Sequence, residues 1–211
     1  MPVLAEVREN LRLALPIVAT QIGLMAINAV RETFRDEDTI RVHPIITHGG
    51  SQVNVIPADV RLETFVRGKT LEAIADADRK VDRALRAGAL ALGATVEIET
   101  LPGYMPLACD PITTARFKEV AAGLVGAEHV KVQAHRTSST DMGDLSQVMP
   151  ALHPYVGGSR GTSHGADDEI ADPVLVSVTL AKALAATAVD MLAEGATAAR
   201  DRRTRRWRPR C

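Results

Sequence analysis

The spacing of apolar residues changes three times within the first hundred residues. Residues 3–34 repeat at helical spacing, with Pro2 at a favourable first-turn position. Pro16 is expected to break or kink this segment, so we expect two helical pieces, the first over Val3–Ala14. Apolar and polar residues then alternate, which is typical of half-buried strands. The strands are predicted over Ile40–Ile46, Val53–Ile56, Val60–Val66 and Thr95–Leu101.

One segment between the predicted strands has an amphipathic pattern with signals at both ends. Thr70 can cap the start of a helix, and Gly93 can end it. The order helix, strand, strand, helix, strand corresponds to a ferredoxin-like βαββαβ sandwich that lacks its first strand. The expected fold class is therefore α/β, in its α+β form. The apolar face of the predicted helix consists of Leu71, Ile74, Ala77, Val81, Leu85, Gly88 and Leu92.

The second half of the chain mixes helical and irregular segments. A loop over Gly103–Pro111 is expected to lead into this region. Apolar spacing predicts helices over Ile112–Leu124 and Pro173–Leu192, and a short strand is one interpretation of Val130–Ala134. Residues 148–156 are apolar but contain two prolines, which disfavour regular structure.

The charge is unevenly distributed along the chain. The formal net charge of the 211 residues is −1. Residues 200–211 contain seven Arg and one Asp, a net charge of +6, so residues 1–199 carry −7. An acidic body disfavours nucleic-acid binding, although the basic end alone can attract phosphates. We expect residues 196–211 to form a basic, disordered tail, because Gly195-Ala196-Thr197 ends the last predicted helix.

Composition limits the class of protein and its compartment. A hydrophobic content of 46% is enough to build a folded core. Cys109 and Cys211 are far apart and form no paired motif, which favours a reducing, cytoplasmic location. No apolar run approaches the roughly 20 residues that span a bilayer, and the start of the chain lacks the pattern of an export signal. We therefore expect a cytoplasmic protein without a membrane partner.

Candidate chemistry is concentrated in residues 138–164, where small polar residues, glycines and two histidines occur together. His164 lies in a flexible loop among small and acidic residues, and it either binds zinc or is simply solvated. His153 either contacts a substrate or is a buried histidine that bonds to the backbone. Asp141 and Asp144 flank a glycine, and they either shape a turn or orient a histidine.

A second candidate group lies in the first region. Asn54 belongs to a hairpin-like corner, and Arg67 stands at the end of the returning strand. Arginine can bind a carboxylate through two parallel hydrogen bonds, and an asparagine amide can donate to a carbonyl oxygen. The pair could hold an acidic or amide substrate. The alternative is that Asn54 satisfies turn backbone and that Arg67 is a solvated strand end.

Two blocks of sequence together resemble a known enzyme family. The first block holds Arg41-Val42-His43-Pro44-Ile45-Ile46, Gly49-Gly50, Asn54-Val55-Ile56-Pro57 and Phe65-Val66-Arg67, and the second holds Ser139-Thr140-Asp141-Met142-Gly143-Asp144 and Leu152-His153-Pro154-Tyr155. In this order the blocks are similar to zinc-dependent amidohydrolases and peptidases of the aminoacylase and carboxypeptidase G type, closest to the branch of aminobenzoyl-glutamate hydrolases and dipeptidase-like proteins. The resemblance extends from about Ile17 to Leu192.

The resemblance implies a lid that dimerises and an α/β metallohydrolase domain that carries two zinc ions. It assigns residues 1–16 to an N-terminal helix and residues 17–102 to a lid without its first strand. Residues 103–195 become the C-terminal part of the catalytic domain, and residues 196–211 remain a basic tail. The implied partners are a small amide or dipeptide substrate and a second copy of the chain bound through the lid.

The resemblance also implies roles for single residues. His164 matches the last metal ligand of the family, and Asn54, Arg67 and His153 are expected to contact the substrate. The general base belongs to an N-terminal half without a counterpart here, so the catalytic residues are unknown. The chain is expected to be a partial subunit, inactive alone, of an enzyme that hydrolyses an amide bond in an N-acyl amino acid or dipeptide-like substrate. The alternative is a non-catalytic dimerisation module derived from such an enzyme.

Overall fold

The structure of the protein, a computed structural model, describes residues Pro2–Thr204 and the side chains of residues 15–197, 199 and 200. The described residues form two compact units. The first contains the residues up to Pro106 together with His135–Ser138, and the second contains Leu107–Ala134 and the residues from Ser139 onward. Helices occur together with small antiparallel sheets, which confirms the α+β class. The four-part domain assignment stays a prediction.

The first helix, α1, covers Pro2–Arg31 without a break. The helix predicted over Val3–Ala14 is confirmed as part of it, but the prediction of two separate pieces is wrong, because Pro16 lies inside the helix. A proline in a helix interior removes one N–H donor and costs about 3 kcal/mol. The turns that follow are held by packing, since Ala19 and Ile27 are buried. Tertiary packing of this kind outweighs the local cost of the proline.

The second helix, α2, covers Leu71–Leu92, as its apolar spacing predicted. At its start the Thr70 hydroxyl oxygen accepts a hydrogen bond of 3.1 Å from the Ala73 N–H. At its end Gly93 adopts a left-handed conformation with a φ of 66°. Both capping predictions are therefore confirmed.

Helices α1 and α2 approach closely at two glycines. A Cβ atom on Gly88 would lie 2.5 Å from the main-chain oxygen of Ala19 and 2.6 Å from the main-chain nitrogen of Gly23. A Cβ atom on Gly23 would lie 3.3 Å from Leu85 Cδ2. Because no larger residue fits at position 88, glycine is required where the helices meet.

The core of the first unit lies between these helices and the strands described next. Its buried members are Ile27, Val42, Val81 and Ala84. Apolar residues of both helices and of two strands thus converge on one cluster, as the amphipathic pattern of α2 requires. Partly buried side chains packed against it are Ala26, Val30, Phe34, Ile40, Val66 and Leu85.

Four short strands form two antiparallel ladders in the first unit. Each of the strands predicted over Ile40–Ile46 and Val60–Val66 is divided into two short strands, and both ladders are antiparallel. Pro44 lies at the division and lacks the N–H that a ladder needs. The pairs are β1 (Arg41–Val42) with β4 (Val66–Arg67), and β2 (Ile45–His48) with β3 (Arg61–Glu63).

Two other predicted strands are not formed. Residues 95–101 have no strand partner among the described residues, although half-buried Val96 and Ile98 alternate with exposed neighbours. A strand forms only by pairing, and in the predicted sandwich the neighbour of this segment is the first strand. The described residues before Ile17 all belong to α1, so none of them forms the first strand of the predicted sandwich, as expected. The segment Val53–Ile56 is an exposed loop with a turn instead of a strand.

The second unit contains the helix that was predicted over Ile112–Leu124, and the structure adds a cap at its start. Helix α3 covers Pro111–Val125. The Asp110 Oδ2 atom accepts hydrogen bonds of 2.8 Å from the Thr113 N–H and of 2.8 Å from the Thr113 hydroxyl. The short strand suggested for Val130–Ala134 is not formed, since no strand is assigned there. The unit also holds the helix α4 (Met142–Val148) and a ladder of β5 (Ser159–Arg160) with β6 (Glu169–Ile170).

The last helix is interrupted near the predicted place. A wide helical turn at Val174–Thr179 leads into α5, which covers Leu180–Thr204. The torsion angles leave the helical region at Ala193–Ala196, where three successive residues have φ between 49° and 71°. Residues 197–204 are helical again, so this part of the expected disordered tail has regular structure. Residues 205–211 lie outside the described residues.

The last helical segment is apolar on more than one side. Ala183 and Thr187 are buried, whereas Val189 and Leu192 are exposed. By length and composition Val174–Thr197 is long and apolar enough to cross a membrane, and 11% of its most apolar 18-residue stretch is buried. A core helix of a soluble protein passes the same test. The absence of a membrane partner therefore stays a prediction.

Candidate functional site

Arg67 lies at the end of β4, with its side chain exposed. Its Nη1 donates to the main-chain oxygen of Thr137 at 3.2 Å. Its guanidinium carbon lies 5.3 Å from the ring centroid of Phe65. A cation over an aromatic face is held electrostatically, so both contacts restrict this long side chain. A guanidinium has five N–H donors, which leaves most of them for an incoming carboxylate.

A second arginine faces Arg67 across the ladder. Arg41 pairs with Arg67, and Val42 pairs with Val66. Side chains of directly opposed residues share one face, with Cβ atoms about 4.5–5.5 Å apart. Val42 is buried and Val66 is half-buried, whereas both arginines are exposed. The β1–β4 ladder therefore packs its valines into the core and presents two cations to solvent.

His135 belongs to the first unit, together with Arg67 and Thr137. Its Nε2 atom is buried and has no hydrogen-bond partner among the described residues. Burial lowers the pKa of the imidazole, and the positive charge of Lys69 lowers this pKa further. The neutral imidazole is therefore favoured, and the surroundings of His135 carry positive charge.

Asn54 lies in the exposed loop that joins β2 to β3. The Val55 N–H donates to the main-chain oxygen of Gln52 at 3.3 Å, which closes a turn around Asn54. The loop carries apolar side chains in solvent, and Val55 is 52% exposed. Asn54 and Arg67 thus belong to the same unit but to different segments. Their joint contact with a substrate stays a prediction.

In the second unit, the polar segment over residues 139–146 ends in helix α4. Ser146 is fully buried there. Its hydroxyl donates to the main-chain oxygen of Gly143 at 2.6 Å and accepts from the Ala108 N–H at 2.9 Å. The second bond ties α4 to the loop before α3. Ser146 therefore has a structural role in this unit.

The two aspartates of this segment stand at the start of α4. Asp141 directly precedes the helix, and its Oδ1 accepts a hydrogen bond of 3.2 Å from the Thr140 hydroxyl. Asp144 lies in the first turn, where a negative charge interacts favourably with the helix dipole. The segment is thus a helix start rather than an isolated turn. The orientation of a histidine by either carboxylate stays a prediction.

His153 is half-buried and contacts Tyr155 edge to face. The ring centroids are 5.3 Å apart, and the ring planes meet at 87°. Aromatic pairs of this geometry are stabilised by the ring quadrupoles. The contact holds the imidazole in one orientation, and a substrate contact of His153 stays a prediction.

His164 lies in the loop between β5 and β6, and its side chain is exposed. Its φ of 63° is left-handed, which is uncommon for a residue with a side chain. The His164 N–H donates to Asp168 Oδ2 at 3.2 Å, and the Gly165 N–H donates to the main-chain oxygen of Thr162 at 2.6 Å. These bonds make a compact loop that fixes the backbone of His164.

A metal site needs more ligands than this loop supplies. Zinc is bound by three or four protein side chains. Within residues 15–197, no three His, Cys, Asp or Glu side chains lie close enough to hold a metal ion. Asp167 and Asp168 accept hydrogen bonds from main-chain N–H groups in the same loop. The described residues do not fit a complete zinc site, and ligation by His164 stays a prediction.

Comparison with known proteins gives the class of the chain. The Xaa-Arg dipeptidase of Mus musculus is 32% identical over 165 residues, which are 73% of this chain and 38% of that protein. The similarity supports a relationship to a peptidase family. The Xaa-Arg dipeptidase of Homo sapiens is 31% identical over 163 residues, which are 73% of this chain and 37% of that protein. No protein-family model matches the chain.

The relationship to peptidases confirms the resemblance in its broad form. The enzyme branch and the dependence on zinc are finer expectations that the similarity leaves open. The chain spans 38% of the length of the mouse dipeptidase, so the activity of a whole relative is not a property of this chain by itself.

Two residues of interest were missed in the sequence. His135 carries no motif, and it stands out only because distant chain segments bury its imidazole beside Lys69. Arg41 lies in the strand predicted over Ile40–Ile46 but was given no role there. Its pairing with Arg67 depends on strand register, which alternation along a single strand does not reveal.

Proposed function

We propose that this chain is a partial subunit of a metal-dependent amidohydrolase that cleaves an amide bond in an N-acyl amino acid or a dipeptide-like substrate. The observation that carries the proposal is the 32% identity with a dipeptidase over 73% of the chain. Xaa-Arg dipeptidase is the name of both curated relatives, and a name of this kind describes hydrolysis of a peptide bond.

The proposed role of the first unit is to hold the substrate. Arg67 is exposed, and Phe65 and Thr137 restrict its side chain. A guanidinium held in this way loses little conformational freedom when it binds a carboxylate. Asn54, in its exposed loop, is proposed as a donor to the carbonyl oxygen of the scissile amide. Neither residue needs to move a proton for this function.

The proposed role of the second unit is to supply one metal ligand, His164, and a substrate contact from His153. A bound metal ion of such an enzyme polarises the amide carbonyl and acidifies a water molecule. The remaining ligands and the general base are proposed to come from polypeptide that corresponds to the unmatched part of the relatives. The complete family site would hold two zinc ions.

The test compares the chain alone with a mixture of the chain and its complement, the polypeptide that corresponds to the unmatched part of the relatives. The purified chain is assayed with zinc against N-acetyl amino acids and dipeptides, and release of free amine is measured. We expect no zinc-dependent turnover from the chain alone, and chelator-sensitive turnover after the complement is added. His164→Ala should abolish this turnover. His129→Ala is the matched control, because His129 is another exposed histidine of the second unit.

The outcomes separate the parts of the proposal. Chelator-sensitive turnover by the chain alone would contradict its partial nature but support the hydrolase class. Turnover that survives His164→Ala would remove the ligand role of this residue. No turnover with any complement would reject the hydrolase proposal and leave the alternative of a non-catalytic dimerisation module.

We also propose that the first unit forms a homodimer. Apolar side chains are exposed on its hairpin, and large exposed apolar patches mark interaction sites. Sedimentation at micromolar concentration should show a dimer that Ile45→Asp weakens, and a monomeric wild-type chain would contradict the proposal. The exposed apolar residues of the hairpin formed by β2, β3 and their loop are Ile45, Ile46, Val53, Val55 and Ile56, and Phe65 is exposed just after β3.

A further inference from the structure

The turn that follows α1 borders a cavity of about 270 Å³. Phe34 and Ile40 form its apolar wall, and both are half-buried and pack against the core cluster of the first unit. Pockets for drug-sized ligands begin at roughly 300 Å³, so this volume suits a ligand the size of an amino acid. The lining consists of Arg31, Phe34, Arg35, Asp36, Thr39 and Ile40.

Thr39 brings a buried hydroxyl group to this cavity. Its Oγ1 atom has no hydrogen-bond partner among the described residues. A buried polar atom without a partner is unfavourable, so this atom favours a ligand that brings a polar group. Thr39 also has a left-handed φ of 48°, which is an outlier for a β-branched residue and persists only where the surrounding structure imposes it. The hydroxyl is thus a group whose hydrogen bonding a ligand would complete.

Two opposite charges at the cavity lack charged partners. The Arg31 guanidinium donates to Asn28 Oδ1 at 3.1 Å and to the main-chain oxygen of Val42 at 2.6 Å, and both acceptors are neutral. Its other N–H groups remain, because a guanidinium has five donors. Neither Arg31 nor Asp36 belongs to an ion pair in the part of the chain that the structure describes. One cation and one anion are therefore available to the same ligand.

The second arginine of the lining is already neutralised. Arg35 Nε donates to Asp38 Oδ2 at 2.9 Å, and Arg35 Nη1 lies 3.4 Å from Glu37 Oε1. The main-chain oxygen of Asp38 accepts a hydrogen bond of 3.0 Å from the Lys69 N–H, which ties the turn to the segment after β4. The turn is held by its own contacts before a ligand arrives, and a preformed site loses less conformational freedom on binding.

The chemistry of the lining matches a free α-amino acid. We propose that this cavity binds the zwitterion of an amino acid with an apolar side chain. The ligand carboxylate pairs with the Arg31 guanidinium and accepts a hydrogen bond from the Thr39 hydroxyl, and the ligand ammonium group pairs with the Asp36 carboxylate. The apolar side chain of the ligand lies against Phe34 and Ile40.

Other small ligands match fewer of these groups. An inorganic anion is repelled by Asp36, and an amine without a carboxylate is repelled by Arg31. An N-acylated amino acid lacks the ammonium group that Asp36 would bind. The site goes beyond the proposed function, since none of the residues assigned to substrate or metal contact lines this cavity and binding requires no hydrolysis.

Equilibrium dialysis of the full chain with radiolabelled L-leucine tests the site, with unlabelled compounds as competitors. N-acetyl-L-leucine lacks the ammonium charge, L-leucinamide lacks the carboxylate, and glycine lacks the apolar side chain. We expect unlabelled L-leucine to compete about tenfold more strongly than each of these compounds, a ratio that corresponds to about 1.4 kcal/mol. Inorganic phosphate should not compete.

Variants assign the three polar contacts. Asp36→Asn should remove the preference for L-leucine over its N-acetyl derivative, and Arg31→Gln should remove the preference over L-leucinamide. Thr39→Val should weaken L-leucine about fivefold. Because the Thr39 hydroxyl has no partner among the described residues, this variant should not lower the unfolding temperature of the free chain, as loss of a structural hydrogen bond would. Glu37→Gln is the matched control, because Glu37 belongs to the same turn but does not line the cavity, and it should leave all affinities unchanged.

Several results would overturn the proposal. Equal competition by N-acetyl-L-leucine and L-leucine would exclude the contact between the ligand ammonium group and Asp36. Equal competition by L-leucinamide would exclude the carboxylate contact with Arg31. Affinity for L-leucine that is unchanged in Thr39→Val, or no saturable L-leucine binding by the wild-type chain, would remove the site from this cavity. All of these are binding measurements, so they leave the proposed hydrolysis to its own test.

Discussion

Replacement of Gly88 by alanine tests the contact on which the first unit is built. The new Cβ atom would lie 2.5 Å from the Ala19 oxygen and 2.6 Å from the Gly23 nitrogen, whereas ordinary contacts begin at 3.4 Å. The nearest atom would therefore have to move by about 0.9 Å. Both atoms belong to the backbone of α1, so no side-chain rotation relieves the overlap, and the helix itself must shift.

The expected loss of stability follows from two opposing effects. Alanine in place of glycine favours a helix by about 1 kcal/mol. Overpacking in a close-packed interior costs about 1–3 kcal/mol, and rigid backbone contacts place this site at the upper end of that range. The net destabilisation of Gly88→Ala should be about 2 kcal/mol. The shift of α1 would also disturb the buried cluster that includes Ile27 and Val81.

Urea unfolding, followed by far-ultraviolet circular dichroism, measures the difference in unfolding free energy between Gly88→Ala and the wild type. Hydrogen exchange of the α2 amides assigns the loss of stability to the first unit. Gly123→Ala in α3 is the control, because its Cβ would meet no atom within 4 Å, and it should stabilise the second unit by up to about 1 kcal/mol. Gly23→Ala meets the flexible Leu85 side chain at 3.3 Å and should be nearly neutral. A Gly88→Ala variant as stable as the wild type would refute the close helix contact.

Three further changes test single side chains. The pKa of His135 is lower in the folded chain than its ordinary value of about 6.5, so the unfolded chain takes up the proton first as the pH falls. The free energy of unfolding should therefore decrease below about pH 6.5. Urea unfolding at several pH values should show a smaller decrease for His135→Gln. Asp110→Ala should destabilise the second unit by about 1–2 kcal/mol, because helix α3 loses its cap. Thermal unfolding should show a smaller loss of stability for Asp110→Asn. Ser146→Ala should lower the free energy of unfolding by about 1–3 kcal/mol, because it leaves the Ala108 N–H without its acceptor. Substitution of the exposed Ser139 by alanine should leave this free energy almost unchanged in the same assay.

The helices were the most predictable part of the fold. Helix α2 was identified at both ends, because Thr70, Gly93 and the apolar repeat are local signals. The continuity of α1 through Pro16 was not predictable from local signals, since it depends on packing against α2. Strands need partners distant in sequence, and for this reason residues 95–101 kept an alternating pattern without forming a strand.

The same distinction applies to the candidate sites. Arg67 was found because it lies in the first sequence block, and His164 was found because small and acidic residues surround it in its loop. The opposition of Arg41 and Arg67 required the register of β1 against β4. The burial of His135 beside Lys69 required a contact between segments more than sixty positions apart. Sequence motifs thus indicated the class of the protein, whereas the charged face of the first unit depends on tertiary structure.

The interruption of α5 at Ala193–Ala196 has a consequence for how the chain can be processed. Its left-handed residues lack regular helical bonding, and exposed irregular segments are preferred sites of proteolysis. The residues from this point to position 199 carry no charge other than Glu194. A single cut after Gly195 would therefore divide an almost neutral polypeptide into a fragment of charge −7 and a peptide of charge +6. One peptide bond thus separates the acidic part of the protein from its basic end, and a protease that cut it would change the electrostatic partners of both fragments.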